Sequence, residues 1–438
     1  MLPQTILPFK LEISDEKLTA RAGLALVAES AEGYGLRLDF EKHLPRPGSN
    51  RGHEAWTFGR AVLLMLHGGG RTMEDMRTLM ADEALREALG LDVPSPDALR
   101  GWLHRLGRDG GEAGMQTINR KLVKRILKKS RVRRHTLDID ATFVEAHKKE
   151  AAMSYHMEPG YYPMLGWLAE EELCVRHEFR AGNVSPSTDN AGFIERCRAS
   201  LPEGHRIKLV RSDAAGYQAE VLRTCRAHRM DFLIRAPMNE RIQREALALN
   251  NDAWTELPGD LGPGQIAETV TGVADFDAAV RLVVIRRPKQ EELFAAAEFD
   301  RDTHRYFALV TSLTCNAPDV VRCYNVRAQA ENCIKELKIG YAMERMPCGD
   351  FAANAVWLGL GVLAYNLGQA IKLFVLGKQW TWHNVATLRW RLYHTAARLV
   401  RHAGAVILKL SAAAVEIFDT LTRARVTVHK LDLLDDTA

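Results

Sequence analysis

Residues 135–144 read "HTLDIDATFV" and alternate between apolar and polar side chains. Leu137 and Ile139 fall on one face of a predicted β-strand, whereas Asp138 and Asp140 fall on the other. Two carboxylates on one face of an otherwise apolar strand are costly unless they are paired or bind a cation. The stretch therefore predicts a strand whose acids have a partner.

The segments that follow this strand alternate between strand and helix patterns. Residues 135–237 are predicted to run β-β-β-α-β-α-β, and Asp213 lies at the carboxyl end of a later strand. Open α/β sheets place ligands at the carboxyl ends of their strands. Residues 238–322 contain strand patterns separated by turns rich in proline and glycine, which predicts a strand-rich insertion.

A second informative stretch, residues 324–338, reads "YNVRAQAENCIKELK". On a helix that advances about 100° per residue, four polar side chains share an arc of about 60° and a fifth lies at its edge. The four are Tyr324, Arg327, Glu331 and Lys338, and the fifth is Lys335. A stripe with one carboxylate and several cations suits an anionic partner plus a metal, although a salt-bridged surface helix has the same pattern.

The residues before the first strand read as helices. Ser95 is a predicted N-cap and Pro96 a predicted first helical residue, in a segment compatible with either a helix-turn-helix or a small helical bundle. Residues 120–134 hold nine Lys or Arg and no acid. This density of cations favours contact with a phosphate backbone, and the alternative is a solvated linker helix.

Composition excludes several classes of protein. The seven cysteines form no C-x-x-C pair, so neither a disulfide scaffold nor a thiolate zinc site is expected. The glycines of "HGGGRT" at 67–72 lack a following GK[ST], so no nucleotide-binding loop is expected. Residues 351–371 carry no charge, but their polar and small residues favour a buried core helix over a membrane span. With no signal-peptide pattern at the N-terminus, a cytoplasmic location is expected.

Three acids stand out as candidate metal ligands. Asp140 and Asp213 come from two strands and Glu331 from a helix. If they converge, they form a set of oxygen ligands suited to Mg²⁺ or Mn²⁺, and two such ions can serve an in-line phosphoryl transfer. Otherwise they are three unrelated members of the 55 acids in the chain.

The stretch at 324–338 fits the pattern Y-x2-R-x3-E-x6-K, and "LDIDAT" and "LVRSDAAGY" fit the first and second aspartate motifs of the same group. From about residue 10 to about residue 410, the chain resembles bacterial insertion-sequence transposases of the DDE type. The resemblance implies an α/β, ribonuclease-H-like catalytic core, with a helical N-terminal DNA-binding domain before it and a strand-rich insertion before the catalytic glutamate. It implies that Asp140, Asp213 and Glu331 are the catalytic acids and bind two Mg²⁺ or Mn²⁺ ions. It also implies that Tyr324, Arg327 and Lys338 contact DNA phosphates.

The same resemblance gives expectations for domains, activity and partners. The expected activity is hydrolysis at the ends of an insertion sequence, followed by joining of the 3′-OH ends to target DNA. The alternatives are a DNA-binding derivative without catalysis and a nuclease without strand transfer. The expected partners are the terminal inverted repeats, target DNA and a second copy of the chain, on the bacterial nucleoid. The expected regions are 1–134, helical with a basic linker; 135–237, first part of the core; 238–322, insertion; 323–376, second part of the core; and 377–438, a candidate for dimerisation.

Three positions leave questions open. Ala214 follows Asp213 where many relatives have serine, which removes a hydroxyl that could support the site. Asp138 competes with Asp140 for the first position, and the D-x-T spacing to Thr142 favours Asp140. In related enzymes an aromatic residue of the insertion stacks on a flipped base. Phe307, or with less support Tyr306 or Trp254, could take that role here, and the alternative is a core aromatic.

Overall fold

A sheet of nine strands forms the centre of the fold in a computed structural model of the chain. The structure describes residue 9 and residues 11–47, 52–288 and 304–435. Three strands at the middle of the sheet are parallel: Arg134–Ala141 pairs with Arg206–Ser212, which pairs with Asp231–Ala236. The strands on either side of these three pair antiparallel.

The described N-terminal residues form helices after one short strand, and their role as a separate DNA-binding domain stays a prediction. The Ser95 hydroxyl accepts a hydrogen bond from the Ala98 N–H at 3.2 Å, which confirms the predicted N-cap. The elements are β1 (Leu18–Thr19), α1 (Leu24–Gly33), α2 (Leu36–His43), α3 (Ala55–His67), α4 (Met76–Ala81), α5 (Glu83–Leu89), α6 (Pro96–Arg108) and α7 (Gly111–Lys129).

The next part contains the predicted series of strands and helices. Its elements are β2 (Arg134–Ala141), β3 (Val144–Glu145), β4 (Ala152–Met153), β5 (Pro159–Tyr161), β6 (Met164–Leu168), β7 (Leu173–Glu178), α8 (Asn190–Ala199), β8 (Arg206–Ser212), α9 (Ala219–Ala227) and β9 (Asp231–Ala236). The longer elements confirm the predicted order. The short strands β3, β4 and β5 are absent from the prediction because two or three residues are too few to show a periodic pattern. They form a separate sheet in the order β3-β5-β4.

The predicted insertion is rich in strands, but it extends the central sheet rather than forming a sheet of its own. Its elements are α10 (Glu240–Leu247), β10 (Thr255–Glu256), β11 (Gln265–Gly272), β12 (Ala279–Pro288) and β13 (His304–Thr311). Strand β13 pairs antiparallel with β9, so the sheet order is β10-β11-β12-β13-β9-β8-β2-β6-β7. Residues 289–303 of the predicted insertion lie outside the described residues.

The stretch at 324–338 is not the single regular helix that the angular analysis assumes. Helix α11 (Ala317–Asn325) ends before Arg327, α12 (Ala328–Lys335) follows, and a π-helical turn, Glu336–Gly340, completes the stretch. The backbone of Val326 and Arg327 stays in the right-handed helical region, so the break bends the helix without reversing it.

Helix α13 (Phe351–Ala370) continues as a π-helical segment, Ile371–Leu376, and runs through the interior. By length and composition Phe351–Leu376 could cross a membrane, but 89% of its most apolar window is buried inside the protein. This burial is what the prediction of a core helix requires. Such a helix is by itself weak evidence of a membrane span, because core helices meet the same length and composition test.

The C-terminal region returns to the N-terminal region. Its elements are α14 (Val385–Leu388), β14 (Ala397–His402), β15 (Ala405–Leu410) and α15 (Val415–Asp435). Strand β14 pairs with β1 and β15, and Arg425 on α15 forms an ion pair with Glu29 on α1 at 2.8 Å. The role of this region in dimerisation stays a prediction.

The described part of residues 1–134 shares its hydrophobic core with the rest of the described chain. Helices α6 and α7 pack along α13, and the buried Trp102 ring on α6 stacks on Phe58 with 4.8 Å between centroids. The apolar stripe of the basic stretch is fully buried, and two of its cations, Lys121 and Arg125, pair with the buried Asp39. The basic helix is therefore a packed element rather than a solvated linker, and its contact with DNA stays a prediction.

One buried amide joins α7, β7 and α13. The Asn366 Nδ2 group donates to Asn119 Oδ1 at 2.7 Å and to the Cys174 carbonyl at 2.8 Å. Its Oδ1 accepts from the Cys174 N–H at 2.9 Å. All three residues are fully buried, so every polar group of this network depends on the others.

We expect Asn366→Ala to lower the free energy of unfolding by about 2–4 kcal/mol, because it leaves buried groups of Asn119 and Cys174 without partners. Urea denaturation followed by circular dichroism measures the change. The control is Asn251→Ala, an exposed asparagine on the surface, which should change stability by less than about 0.5 kcal/mol. Equal effects of the two substitutions would contradict a stabilising role for the network.

Candidate active site

Pairing of two parallel strands brings Asp140 and Asp213 together. Strands β2 and β8 pair with Ile139 opposite Ser212, and the residue that follows each of these two is an aspartate. Asp213 begins the turn that follows β8, where its carboxylate accepts from the Ala215 N–H at 3.0 Å. Both carboxylates therefore lie at the carboxyl ends of these two central strands, where the strand pattern predicts that ligands bind.

Arg327 connects the first aspartate to Glu331. Its Nη2 atom lies 3.1 Å from Asp140 Oδ2, and its Nη1 atom lies 3.1 Å from Glu331 Oε1. The Arg327 side chain is only 8% exposed, whereas the Glu331 side chain is 63% exposed. One buried guanidinium thus holds two of the three predicted catalytic acids, at the point where α12 begins.

The pKa of Asp140 shows that the three acids share one electrostatic environment. The pKa of Asp140 is raised to about 6, mainly by burial, and the negative charges of Asp213 and Glu331 contribute to the rise. The positive charge of Arg327 opposes this rise. The three carboxylates repel one another at the carboxyl ends of β2 and β8, and a bound cation would relieve that repulsion.

The donor set fits a divalent metal ion. Three carboxylates supply the hard oxygen ligands that Mg²⁺ and Mn²⁺ prefer. Among the described residues the buried Arg327 Nε–H has no hydrogen-bond partner, so the site also has an unsatisfied donor for an anionic ligand. Both observations suit a site that takes a cation and an anion together.

A more compact group of acids and histidine lies at the other end of β2. Within the described ranges, His135, Glu170 and Glu171 are the group whose ligand atoms all lie within 4.8 Å of one another. His135 contacts Glu171 at 3.1 Å and His205 at 2.9 Å, and Glu170 pairs with Lys208 at 3.3 Å. These side chains satisfy each other, and they lie at the amino end of the strand rather than beside Asp140.

Asp138 has a partner of its own. Its two carboxylate oxygens accept from Arg211 Nε and Nη2 at 2.6 and 2.7 Å. Arg211 Nη1 also donates to the Cys323 carbonyl at 2.6 Å, next to Tyr324. Asp138 therefore anchors α11 to the sheet, and this pairing favours Asp140 as the first acid of the site.

The predicted DNA-contacting residues lie in different surroundings. Tyr324 is half-buried and contacts the Phe307 ring at 5.7 Å between centroids, and burial raises its pKa. Lys338 Nζ donates to the Phe143 carbonyl at 2.8 Å, directly after β2. Lys335 is exposed and lines a cavity of about 430 Å³ that none of the three acids lines. Their contact with DNA stays a prediction.

The aromatic candidates of the insertion also differ in exposure. Phe307 is partly exposed beside Tyr324, and Arg235 lies over its ring at 5.2 Å. Trp254 is buried and packs near Tyr306, with 6.2 Å between ring centroids. Phe307 is thus the one of the three that adjoins the predicted phosphate-contacting stripe, as the sequence favours.

The sequence analysis misses a group of aromatic residues beside the acids. The backbone N–H of Thr142 donates to the Pro163 carbonyl at 3.0 Å, which places Tyr162 next to the end of β2. Burial raises the pKa of Tyr162, and the charges of Asp140 and Asp213 contribute to the rise. The run "SYHMEPGYY" at 154–162, aromatic residues around a Pro-Gly turn signal, is the feature that could have revealed this group.

The chain matches a family of known proteins and several solved structures. The family described as "Transposase DDE domain group 1" matches residues 7–430 of the chain. A cryo-EM structure of a piggyBac transposase synaptic complex with hairpin DNA matches the fold with a TM-score of 0.50 and 9% sequence identity. That match covers 87% of this chain and 82% of the other. No curated protein sequence matches significantly.

We expect Asp140→Asn to raise the free energy of unfolding in buffer with EDTA. Because the folded-state pKa of Asp140 is about 6 rather than 3.8, ionisation of this group disfavours the folded state. The stability that its proton supplies is present below about pH 4 and is lost as the pH rises through about 6. The variant should gain about 2–3 kcal/mol above pH 7, and the gain should shrink as the pH falls toward 4.

Asp252→Asn, at an exposed position, is the control and should change stability by less than about 0.5 kcal/mol at every pH. Urea denaturation of both variants across this pH range provides the measurement, and a pH-independent effect at Asp140 would contradict the assigned pKa.

Proposed function

The chain belongs to the transposase DDE domain group 1 family, and from that premise we propose how its site acts on DNA. Membership makes it a DNA transposase with a ribonuclease-H-like fold, and the family uses divalent metal ions. We assign the catalytic acids to Asp140, Asp213 and Glu331. The observation that carries this assignment is the position of the Arg327 guanidinium, 3.1 Å from both Asp140 and Glu331. Asp213 lies at the same carboxyl end of the paired strands β2 and β8.

The proposed reaction has two steps at one site. Hydrolysis of a phosphodiester at each end of the element exposes a 3′-OH group. That hydroxyl then attacks a phosphodiester of the target DNA, so one P–O bond forms as another breaks and no covalent protein intermediate is needed. Two Mg²⁺ or Mn²⁺ ions held by the three carboxylates would activate the attacking oxygen and stabilise the leaving one.

The protein's own residues bind and orient the DNA. The buried Arg327 Nε–H, which has no partner in the part of the chain that the structure describes, can donate to a phosphate oxygen. The charge of Arg327 would offset the negative charge of the transition state. Tyr324, Lys335 and Lys338 are proposed to contact phosphates along the same strand. Lys338, which donates to the Phe143 carbonyl, also keeps α12 and its π-helical extension close to the end of β2.

The proposed partners are the terminal inverted repeats of the element and its target DNA. The match to a transposase solved with DNA supports a DNA-binding role for this fold. Because two ends must be brought together, we propose that the active complex contains at least two copies of the chain, acting on the bacterial nucleoid. The packed basic helix α7 is proposed to contribute further phosphate contacts.

Two alternatives differ from this proposal in their products. A DNA-binding derivative without catalysis would bind end DNA and leave it intact. A nuclease without strand transfer would cut end DNA but would not join pre-cut ends to a target. Incubation of pre-cut ends with a supercoiled plasmid and Mn²⁺ separates the three, because only a transposase gives joined products.

We expect Asp140→Asn, Asp213→Asn and Glu331→Gln each to reduce cleavage of end DNA by more than about 100-fold, the scale on which loss of one charge-stabilising group slows other enzymes. Binding of the same DNA should persist, because phosphate contacts come from other residues. Gel analysis of a plasmid carrying the inverted repeats that flank the gene measures cleavage, and fluorescence anisotropy measures binding.

The matched control is Glu336→Gln. Glu336 lies on the same stretch, but its carboxylate accepts from the Val385 N–H at 2.8 Å and takes no part in the site. This variant should retain cleavage within about twofold, in the range of a near-neutral substitution. Full cleavage by any one of the three acid variants would reject that residue as catalytic.

We expect Arg327→Gln to bind Mn²⁺ about tenfold more tightly than the unmodified chain in the absence of DNA. The guanidinium lies 3.1 Å from two carboxylates, so its charge opposes a cation at the same place, and a tenfold change corresponds to about 1.4 kcal/mol. Isothermal titration calorimetry measures the affinity, with Arg327→Lys, which keeps the charge, as the control. Weaker binding by Arg327→Gln would show that Arg327 organises the carboxylates rather than competing for them.

A further inference from the structure

The hairpin formed by β4 and β5 exposes three large apolar side chains at its tip. The exposed fractions are 52% for Met153, 64% for Tyr155 and 78% for Met157. Single exposed apolar residues are common, but three within five residues on one turn form a concentrated apolar surface. None of them packs into the two hydrophobic clusters of the described chain.

Local hydrogen bonds hold the tip of the hairpin in one conformation. The Ser154 N–H donates to the Glu158 carbonyl at 2.8 Å, and the Met157 N–H donates to the Ser154 carbonyl at 3.0 Å. The Ser154 hydroxyl accepts from the His156 N–H at 3.2 Å. The His156 ring lies against Tyr155, with 3.9 Å between centroids and 41° between planes. The turn and this ring contact therefore present the exposed part of the Tyr155 ring as a fixed surface, at a small cost in conformational entropy on binding.

The exposed ring is connected to the acids through a second tyrosine. The Tyr155 and Tyr162 hydroxyls are 2.9 Å apart, and their rings are stacked with 5.8 Å between centroids and 24° between planes. Tyr162 in turn contacts Phe143 at 5.6 Å, and Phe143 follows β2 by two residues. The Phe143 carbonyl accepts from Lys338, so the group joins the stripe that carries Glu331.

We propose that this hairpin binds an unstacked nucleobase next to the phosphodiester held at the acids, with the Tyr155 ring as the stacking surface and Met153 and Met157 at its sides. The inference rests on the proposed function in one respect, that DNA lies at the three acids. Aromatic rings stack on the face of any base, and methionine contacts are adaptable in shape. The nucleotides beside the scissile phosphate are those that can reach a surface continuous with the end of β2.

A nucleobase suits this surface better than a protein partner does. Stable protein interfaces cover about 800 Å² on each partner, far more than three side chains on a turn provide. A single base, by contrast, matches one ring. Bases within intact duplex DNA have no free face, so the hairpin should prefer DNA in which a base can leave the stack.

We expect Tyr155→Ala to weaken binding to a fluorescein-labelled oligothymidine of about 20 nucleotides by roughly 5- to 100-fold, and to change binding to the matching duplex by less than about twofold. Fluorescence anisotropy in EDTA measures both affinities without cleavage. Tyr155→Phe, which keeps the ring but loses the hydrogen bond to Tyr162, should behave like the unmodified chain. Trp390→Ala, which removes an aromatic side chain that is 85% exposed on another element, is the control and should have no effect.

Three results would overturn the proposal. They are an equal loss of affinity for both probes, no loss for either, and a change from dimer to monomer in sedimentation, which would make the hairpin a contact between copies of the chain. Because the assay contains no metal, it is independent of cleavage. If Asp140→Asn loses cleavage but still prefers single-stranded DNA, both proposals stand. If Asp140→Asn still cleaves end DNA, only the catalytic assignment is rejected.

Photocrosslinking provides a second measurement that does not depend on a substitution. An oligothymidine carrying 5-iodouracil, irradiated with the unmodified chain, should crosslink to the segment between Ala152 and Tyr161, as identified by mass spectrometry. Crosslinks confined to Phe307 or to Trp382 would assign base stacking to another surface and overturn the proposal.

Discussion

The parallel pairing of β2 with β8 is the constraint on which the site depends. The register that sets Ile139 opposite Ser212 makes Asp140 and Asp213 the next residues of adjacent strands. Because successive side chains of a strand point to opposite faces, a shift of one residue would move one of these carboxylates to the other face. The bidentate pair of Asp138 with Arg211 joins the same two strands and extends to the Cys323 carbonyl. The sheet register and the position of α11 are therefore linked through one buried ion pair.

The site holds negative charge that the folded chain only partly neutralises. Asp140 is buried among other acids, and its raised pKa is the consequence. Arg327 lies between Asp140 and Glu331 and supplies one positive charge, which makes the arrangement tolerable without a metal. Sites that bind metals and phosphates often carry such unfavourable charge, because the ligand supplies the missing counter-charge. Stability and activity are expected to oppose each other at Asp140 for this reason.

The helical regions at both ends of the chain are built around α13. Helices α6 and α7 pack against it, and Asn366 on it hydrogen-bonds to α7 and β7. Helix α15 packs on α1 and on the π-helical segment that continues α13. A shared core means that a force on the N-terminal helices is transmitted to the sheet that carries the acids. DNA bound by the basic face of α7 would therefore be held in a defined position relative to the site, rather than on a flexible linker.

Local pattern in the sequence determined the strand with Asp138 and Asp140, the order of the long elements up to β9 and the N-cap at Ser95. These features repeat over short distances, so they are visible without knowledge of the fold. Tertiary structure alone decided that the insertion continues the central sheet, that the helix breaks at Arg327, that Asp138 pairs with Arg211 and that Tyr155 and Tyr162 adjoin the acids. The physical reason is that each of these depends on contacts between residues far apart in the chain, and side chains at such distances leave no periodic signal in the sequence.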